Sequence, residues 1–335
     1  MVQMITALAG GVGASLFLRG LLAVVPGPEV AIIANTADDA VVHGLAVSPD
    51  LDTITYTLAG VSDPQQGWGL AGETWNALGS LERYGAETWF RLGDKDIGTH
   101  LYRTQRKAHG APLSAITAEI TSAWGIESRL LPMTDDRVET RLTLVDGSEV
   151  SFQEYFVHLR HDPPVKQVRF DGSASARPGP GVLAALADAH LVIVCPSNPL
   201  LSVAPILSVP GIEAALTRRR DSVVAISPIV GGRALRGPAD HLMEELGYEP
   251  SVKGVARLYS PFAAALVIDD QDASSAAEVS AEGMRCITTN TIMDSTEASE
   301  ALARTVIGSF PGARDEGGAG PRGGTGPQFD PETLR

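Results

Sequence analysis

Met4-Ile5-Thr6-Ala7-Leu8-Ala9-Gly10-Gly11-Val12-Gly13-Ala14-Ser15-Leu16 is the stretch that decides the fold class. Residues 4–9 are almost wholly apolar and read as a short strand. A glycine-rich turn follows, and Leu16, Leu18, Leu21 and Leu22 then recur at helical spacing across 14–25. A second apolar run, Val30–Ala34, completes a strand–loop–helix–strand opening. That order predicts a parallel sheet with ligands at the carboxyl ends of its strands. The same rhythm returns after residue 181. A helix is expected over 182–189, and strands over 191–195, 223–227, 264–268 and 285–289. Between the two halves the pattern is less regular. Helices are expected over 73–84 and 113–124, and a hairpin over 138–156 turning at Asp146-Gly147. The expected architecture is an α/β, Rossmann-like, mostly parallel sheet flanked by helices, with a central α+β insertion over about 62–180 that contains the hairpin. Residues 1–310 make one domain on this reading. Gly317-Gly318-Ala319-Gly320 and Gly323-Gly324 mark 311–335 as a disordered tail.

With 335 residues the chain can bury a full core, and its 44% hydrophobic and 20% charged content is ordinary for a globular protein. A formal net charge of −14 argues against non-specific nucleic-acid binding, though it leaves room for a local basic pocket. The start of the chain lacks the basic segment of a secretory signal, and its first apolar run breaks at Gly10-Gly11. No run approaches the roughly 18 apolar residues of a membrane span; residues 20–34 come nearest, and Pro26-Gly27-Pro28-Glu29 interrupts them. Cys195 and Cys286 lie in or beside apolar runs and read as small buried hydrophobes, which fits a reduced, cytoplasmic protein.

The second strand runs into Asn35-Thr36-Ala37-Asp38-Asp39, and Ser48-Pro49-Asp50-Leu51-Asp52 follows shortly after. Between Arg19 and Arg83 there are eight Asp or Glu and no Lys or Arg. Carboxylates that converge without compensation need a cation or a proton. Oxygen ligands suit magnesium or calcium, and magnesium usually brings a phosphate with it. Asp38 and Asp39 could equally serve as a turn or helix cap. Asp50 and Asp52 would share one face if their segment is extended.

Gly10-Gly11-Val12-Gly13 can present backbone N–H groups to a phosphate, or be only a tight turn; it is neither a P-loop nor a full dinucleotide fingerprint, since Leu16 replaces the third glycine. The basic segment Arg83, Arg91, Lys95, Arg103, Arg106 and Lys107, with His100 and His109, reads mainly as solvated helix charge. Arg91 differs, because Trp89-Phe90-Arg91-Leu92-Gly93-Asp94 is aromatic and turn-like and suits bidentate anion binding. Pro196-Ser197-Asn198-Pro199 follows a strand and fits a base or ribose contact or an ordinary helix N-cap. Ser227-Pro228-Ile229-Val230-Gly231-Gly232 repeats the pattern, with Arg233 and Arg236 able to meet negative charge. His43, His158 and His161 read as structural, and there is no zinc spacing, nucleophile elbow or Ser-His-Asp order.

Together these segments resemble the 2-phospho-L-lactate transferase family of deazaflavin coenzyme F-420 biosynthesis, including its actinobacterial phosphoenolpyruvate transferases. The matching blocks begin with Ala9–Gly13, Asn35–Asp39, His43-Gly44-Leu45 and Ser48–Thr53. Gly67–Gly72, Trp89–Asp94 and Pro132–Asp136 follow, and Phe152–Val157, Pro196–Pro199 and Ser227–Gly232 complete the set. The resemblance implies transfer of a phosphoenolpyruvyl or phospholactyl group from a guanosine diphospho-donor to the ribityl hydroxyl of the deazaflavin Fo, with release of GMP and with Mg2+ bridging the diphosphate. By the family pattern Asp52 and Arg91 bind the deazaflavin and are the catalytic candidates. Asp38, Asp39 and Asp50 are assigned to magnesium, Gly10, Gly11 and Gly13 to the diphosphate, and Ser197 and Asn198 to guanosine. Ala37 stands where many relatives have Gly, and Arg91 where many have Lys. This type of fold commonly self-associates, so a homo-oligomer such as a dimer is expected, with no nucleic-acid or membrane partner.

The main alternative is a non-enzymatic nucleotide-sugar-binding regulator of the gluconeogenesis-factor type. Its acidic motif continues into Gly-Gly-Ser-Ser-Gly, whereas here Asp38-Asp39 continues into Ala40-Val41-Val42-His43-Gly44. A plain Rossmann oxidoreductase is weakened by the missing third glycine.

Overall fold

Ile5–Ala9 (β1) and Val30–Ala34 (β2) pair in parallel, and every one of their residues is buried. Strands buried on both faces need apolar side chains at nearly every position, which these two have. The computed structural model describes residues 4–310 apart from 236; the expected tail and Arg236 lie outside the described residues. In chain order the further strands are β3 (Ala40–Val42), β4 (Leu45–Val47), β5 (Arg129–Pro132), β6 (Glu139–Leu144), β7 (Glu149–Ser151) and β8 (Val165–Asp171). They continue as β9 (Leu191–Val194), β10 (Val223–Ile226), β11 (Ile229–Val230), β12 (Arg233–Ala234), β13 (Ala265–Ile268) and β14 (Arg285–Thr288). The α-helices are α1 (Gly11–Val24), α2 (Pro49–Leu58), α3 (Asn76–Arg83), α4 (Asp96–Ala108), α5 (Leu113–Ala123) and α6 (Val182–Asp188). After them come α7 (Ala204–Ser208), α8 (Ile212–Arg218), α9 (Ala239–Glu245), α10 (Val252–Tyr259), α11 (Ala276–Ala281) and α12 (Thr296–Gly308).

The main sheet has seven parallel strands in the order β14-β13-β10-β9-β1-β2-β5. The chain therefore winds outward from β1 through β2 to β5, then returns to β9 on the other side of β1. Between β1 and β9 the direction of winding reverses, and the crevice beyond such a switch point is where open α/β sheets bind ligands. Alternate residues along each strand feed two separate cores. Ala7, Ile32, Ile193 and Val224 face the core under α1, α2 and α12, while Leu8, Ile33, Val192 and Val223 face the opposite one. Helix α1 packs closely on α12 because Gly20 lacks a side chain; a Cβ there would lie 2.3 Å from the Ser299 carbonyl carbon.

Two expectations change in the intervening segment. Residues 62–180 do not form one continuous cap, because β5 within them pairs with β2 as an edge strand of the main sheet. The hairpin β6–β7 turns at Gly147 as expected, and β8 makes it a three-stranded antiparallel sheet. Its second strand stops at Ser151, however, and Glu154–His158 closes into a helical turn. The acidic loop is also more structured than expected. Residues 40–47 fold into the small hairpin β3–β4, turning at His43 and Gly44, both with positive φ. Pro49 then starts α2, since its fixed φ suits a first helical turn.

Candidate active site

Above the switch point lies a cavity of about 530 Å3. Its walls come from the loops after β1, β2, β9, β10 and β14, from α2 and α4, and from the helical turn after β7. Gly10, Gly11, Gly13, Asp38, Asp50, Asp52, Arg91, Ser197 and Asn198 all line it. Asp39, assigned to magnesium with Asp38 and Asp50, does not, and neither does Arg233.

The loop after β1 is held by side chains as much as by its own turn. Ser197 Oγ donates to the Gly10 carbonyl at 2.9 Å and accepts from Gly10 N at 3.2 Å, which fastens the β1 loop to the β9 loop. Gly11 N donates to Asp50 Oδ1 at 2.7 Å. The glycines are needed for proximity: a Cβ on Gly10 would lie 2.7 Å from Asp50 Oδ2, and one on Gly13 would lie 2.5 Å from the Pro196 carbonyl. With Gly11 N engaged by Asp50, the following N–H groups of the first turn of α1 are the ones left without intrahelical partners, at the positive end of a 14-residue helix. Asn198 is an N-cap: its Oδ1 accepts from Leu200 N at 2.9 Å and Leu201 N at 3.1 Å. The simpler of the two sequence readings therefore holds for that oxygen, while the residue still faces the cavity.

Asp38 and Asp50 meet at one amide. Asn35 Nδ2 lies 3.0 Å from Asp50 Oδ2 and 3.4 Å from Asp38 Oδ1. Burial, then the charge of Asp50, raises the Asp38 carboxyl well above the usual range, and burial raises Asp50 to about 6. Asp39 turns away. Its Oδ2 accepts from Ser48 Oγ at 2.7 Å, its Oδ1 is buried with no hydrogen-bond partner, and burial raises its carboxyl to about 7. Gln153 Nε2, from the turn after β7, donates to the Asp38 carbonyl at 3.0 Å and ties the acidic loop to the inserted sheet.

Asp50 and Asp52 do not share a face. They sit in the first turn of α2, where a two-residue step turns side chains through roughly 200°. Asp50 faces the β1 loop, and Asp52 faces α4, where the Arg103 guanidinium grips both of its oxygens. The charge missing from residues 20–82 is thus supplied from α4. Arg103 and His100 are 2% and 1% exposed and are the exceptions in a basic segment whose Arg83, Lys95, Lys107 and His109 are exposed as expected. Asp96, His100 and Arg103 fall at i, i+4 and i+7, one face of a helix, and that spacing was the signal available in the sequence. Arg91 lies at the cavity mouth with its guanidinium carbon 4.0 Å from the Trp75 ring centre. Among the described residues no carboxylate pairs with it.

A family model described as 2-phospho-L-lactate transferase CofD matches residues 5–308. A phosphoenolpyruvate transferase of Kitasatospora aureofaciens is 42% identical over 309 residues, covering 90% of this chain and 96% of that protein. The Streptomyces coelicolor protein of the same name is 42% identical over 308 residues, covering 90% and 97%. The Mycobacterium tuberculosis one is 41% identical over 284 residues, covering 79% and 86%. Among solved structures, a upf0052-family protein of Bacillus halodurans superposes with a TM-score of 0.59 at 15% identity, covering 91% of this chain and 98% of its own; it shares the fold. A match over residues 5–308, with relatives 42% identical along nine-tenths of the chain, places this protein in the 2-phospho-L-lactate transferase CofD family.

Proposed function

We propose that the protein transfers a phosphoenolpyruvyl or phospholactyl group from a guanosine diphospho-donor to the ribityl hydroxyl of the deazaflavin Fo, releasing GMP in coenzyme F-420 biosynthesis. The observation that carries this reading is one cavity whose wall joins two different sets of groups. On one side are the start of α1, the Asp38–Asp50 pair and the Ser197-Asn198 loop; on the other are Asp52 and Arg91. The first set suits a nucleoside diphosphate and the second a polar acceptor with a flat ring. Relatives at 42% identity are named transferases, so the regulatory alternative is not favoured.

Asp38 and Asp50 fit magnesium. They are two oxygen donors already drawn together at Asn35, and burial raises each carboxyl, for Asp38 with the charge of Asp50 added. Magnesium is usually held by one or two carboxylates together with substrate phosphates, so Asp39 is not needed as a third ligand. Bound there, the metal would neutralise charge on the diphosphate as GMP departs.

The chain's own groups do the positioning. The first turn of α1 presents N–H groups to the phosphates. Arg91, backed by Trp75, is free to grip the carboxylate or ring carbonyl of a ligand. Asp52 accepts the hydrogen bond of the ribityl hydroxyl and, as its oxygen bonds to the phosphorus bearing the small acid, takes the proton. The bond from that phosphorus to the GMP oxygen breaks, and GMP leaves with the electron pair. A cytoplasmic setting is supported by Cys195 and Cys286 being free thiols.

Purified protein with Mg2+, Fo and the donor should release GMP, and a chelator should stop it. Asp52→Asn should lose most of the turnover while remaining folded. No GMP above a no-enzyme control, with the donor shown intact, would contradict the proposal.

A further inference from the structure

We propose that Arg103, which does not line the cavity, is a positioning residue for the acceptor half of the reaction, acting through Asp52. The inference rests on the reading above that Asp52 contacts Fo.

Arg103 lies behind Asp52 as the centre of a buried polar chain. Its Nη1 donates to Asp52 Oδ2 at 3.1 Å and its Nη2 to Asp52 Oδ1, so both carboxylate oxygens are fixed by one rigid fork. Nη1 also reaches the Ala46 carbonyl at 3.3 Å and His100 Nδ1 at 3.2 Å. A guanidinium can only donate, so this contact suits Nδ1 as an acceptor. Nε2 lies 3.0 Å from Asp96 Oδ2, off the line of an ideal hydrogen bond. Asp96 Oδ1 accepts from Tyr56 OH at 2.6 Å. The chain thus runs from Asp52 through Arg103, His100 and Asp96 to Tyr56, and joins α2 to α4 at two levels.

Four of these five side chains line the cavity, and Arg103 is the exception. It therefore cannot grip a ligand itself. It can set which lone pairs of Asp52 remain for one. With both oxygens held by the fork, the carboxylate cannot rotate, and only its outward lone pairs are left to meet an acceptor hydroxyl. A lysine would keep the charge but offers a point donor in place of the fork, which frees Asp52 to rotate. Among the described residues, no hydrogen bond joins Gly10, Ser197 or Asn198 of the donor half to these five side chains.

The test compares Arg103→Lys with the parent, in full-length protein, by calorimetric titration of Fo and separately of GDP, and by steady-state GMP release. Loss of one good charge-assisted hydrogen bond corresponds to about tenfold in affinity. Arg103→Lys should weaken Fo binding and raise the KM for Fo by about tenfold, while GDP affinity stays within about twofold of the parent. Tyr56→Phe, at the far end of the chain, should give a smaller effect of the same kind. If Fo and GDP affinities fall equally, Arg103 is only a structural residue, and if neither falls Asp52 does not depend on it; either result overturns the inference. If the parent binds Fo in an Arg103-dependent way yet releases no GMP, it is the transferase reading that fails.

Discussion

Asp96 is a buried carboxylate held between two donors, and its ionisation shows what the polar chain contributes to the fold. Burial alone would raise its carboxyl, but His100, and then Tyr56, more than offset this and hold it below its ordinary value. A carboxyl lowered in the folded state stabilises the protein above the unfolded value of about 4, and that contribution is lost as pH falls through the folded value. Asp96→Asn should therefore be less stable than the parent at pH 7 by about 1–3 kcal/mol, the usual range for a hydrogen-bonded buried charge. The difference should shrink below about pH 4. Urea unfolding at pH 7 and pH 3 checks this, and a gap of the same size at both would contradict it. At this scale the charges were legible and their pairings were not. The excess of carboxylates over residues 20–82 announced a missing cation, and a cation at Arg103 does meet Asp52. The spacing of Asp96, His100 and Arg103 marks one face of α4, but that this face meets Asp52 depends on how α4 lies against α2, which the spacing does not encode.

Between the residue and the whole lies a reciprocal clip that seats Arg91. Glu73 accepts from Lys95 N and Asp96 N, both at 2.8 Å, and so caps the start of α4. Asp94 accepts from Asn76 N at 3.0 Å and Ala77 N at 2.9 Å, and so caps the start of α3. Each segment caps the other's helix, and Arg91 with its Trp75 platform lies between them. Gly93 permits the approach, since a Cβ there would lie 2.2 Å from Glu73 Cδ. Asp94→Ala should raise the KM for Fo several-fold with the KM for the guanosine donor unchanged. Equal change in both would show that the clip supports the fold in general and not Arg91. The helix expected over 73–84 begins only at Asn76 because residues 73–75 are used by this clip. Likewise, extended geometry was open to Asp50 and Asp52 in the sequence, but Pro49 starts a helix there, and the hairpin β3–β4 leads directly into it.

The molecule as a whole is a sheet that changes winding direction between β1 and β9 and opens a cavity beyond that change. Most of this sheet was legible, because its buried strands are apolar runs bounded by glycine, proline or acidic residues. β5 was the strand missed. Arg129-Leu130-Leu131-Pro132 is a short edge strand with an exposed arginine, too brief to stand out between helices and the hairpin. In the proposed reaction the cavity brings donor and acceptor together for direct transfer, with no water intervening. Mass spectrometry of products formed in 18O-labelled water tests it directly. Attack by the ribityl hydroxyl gives an Fo phosphodiester with no 18O, in equal amount to GMP. GMP formed without that conjugate, accompanied by 18O-labelled phosphoenolpyruvate or phospholactate, would contradict it.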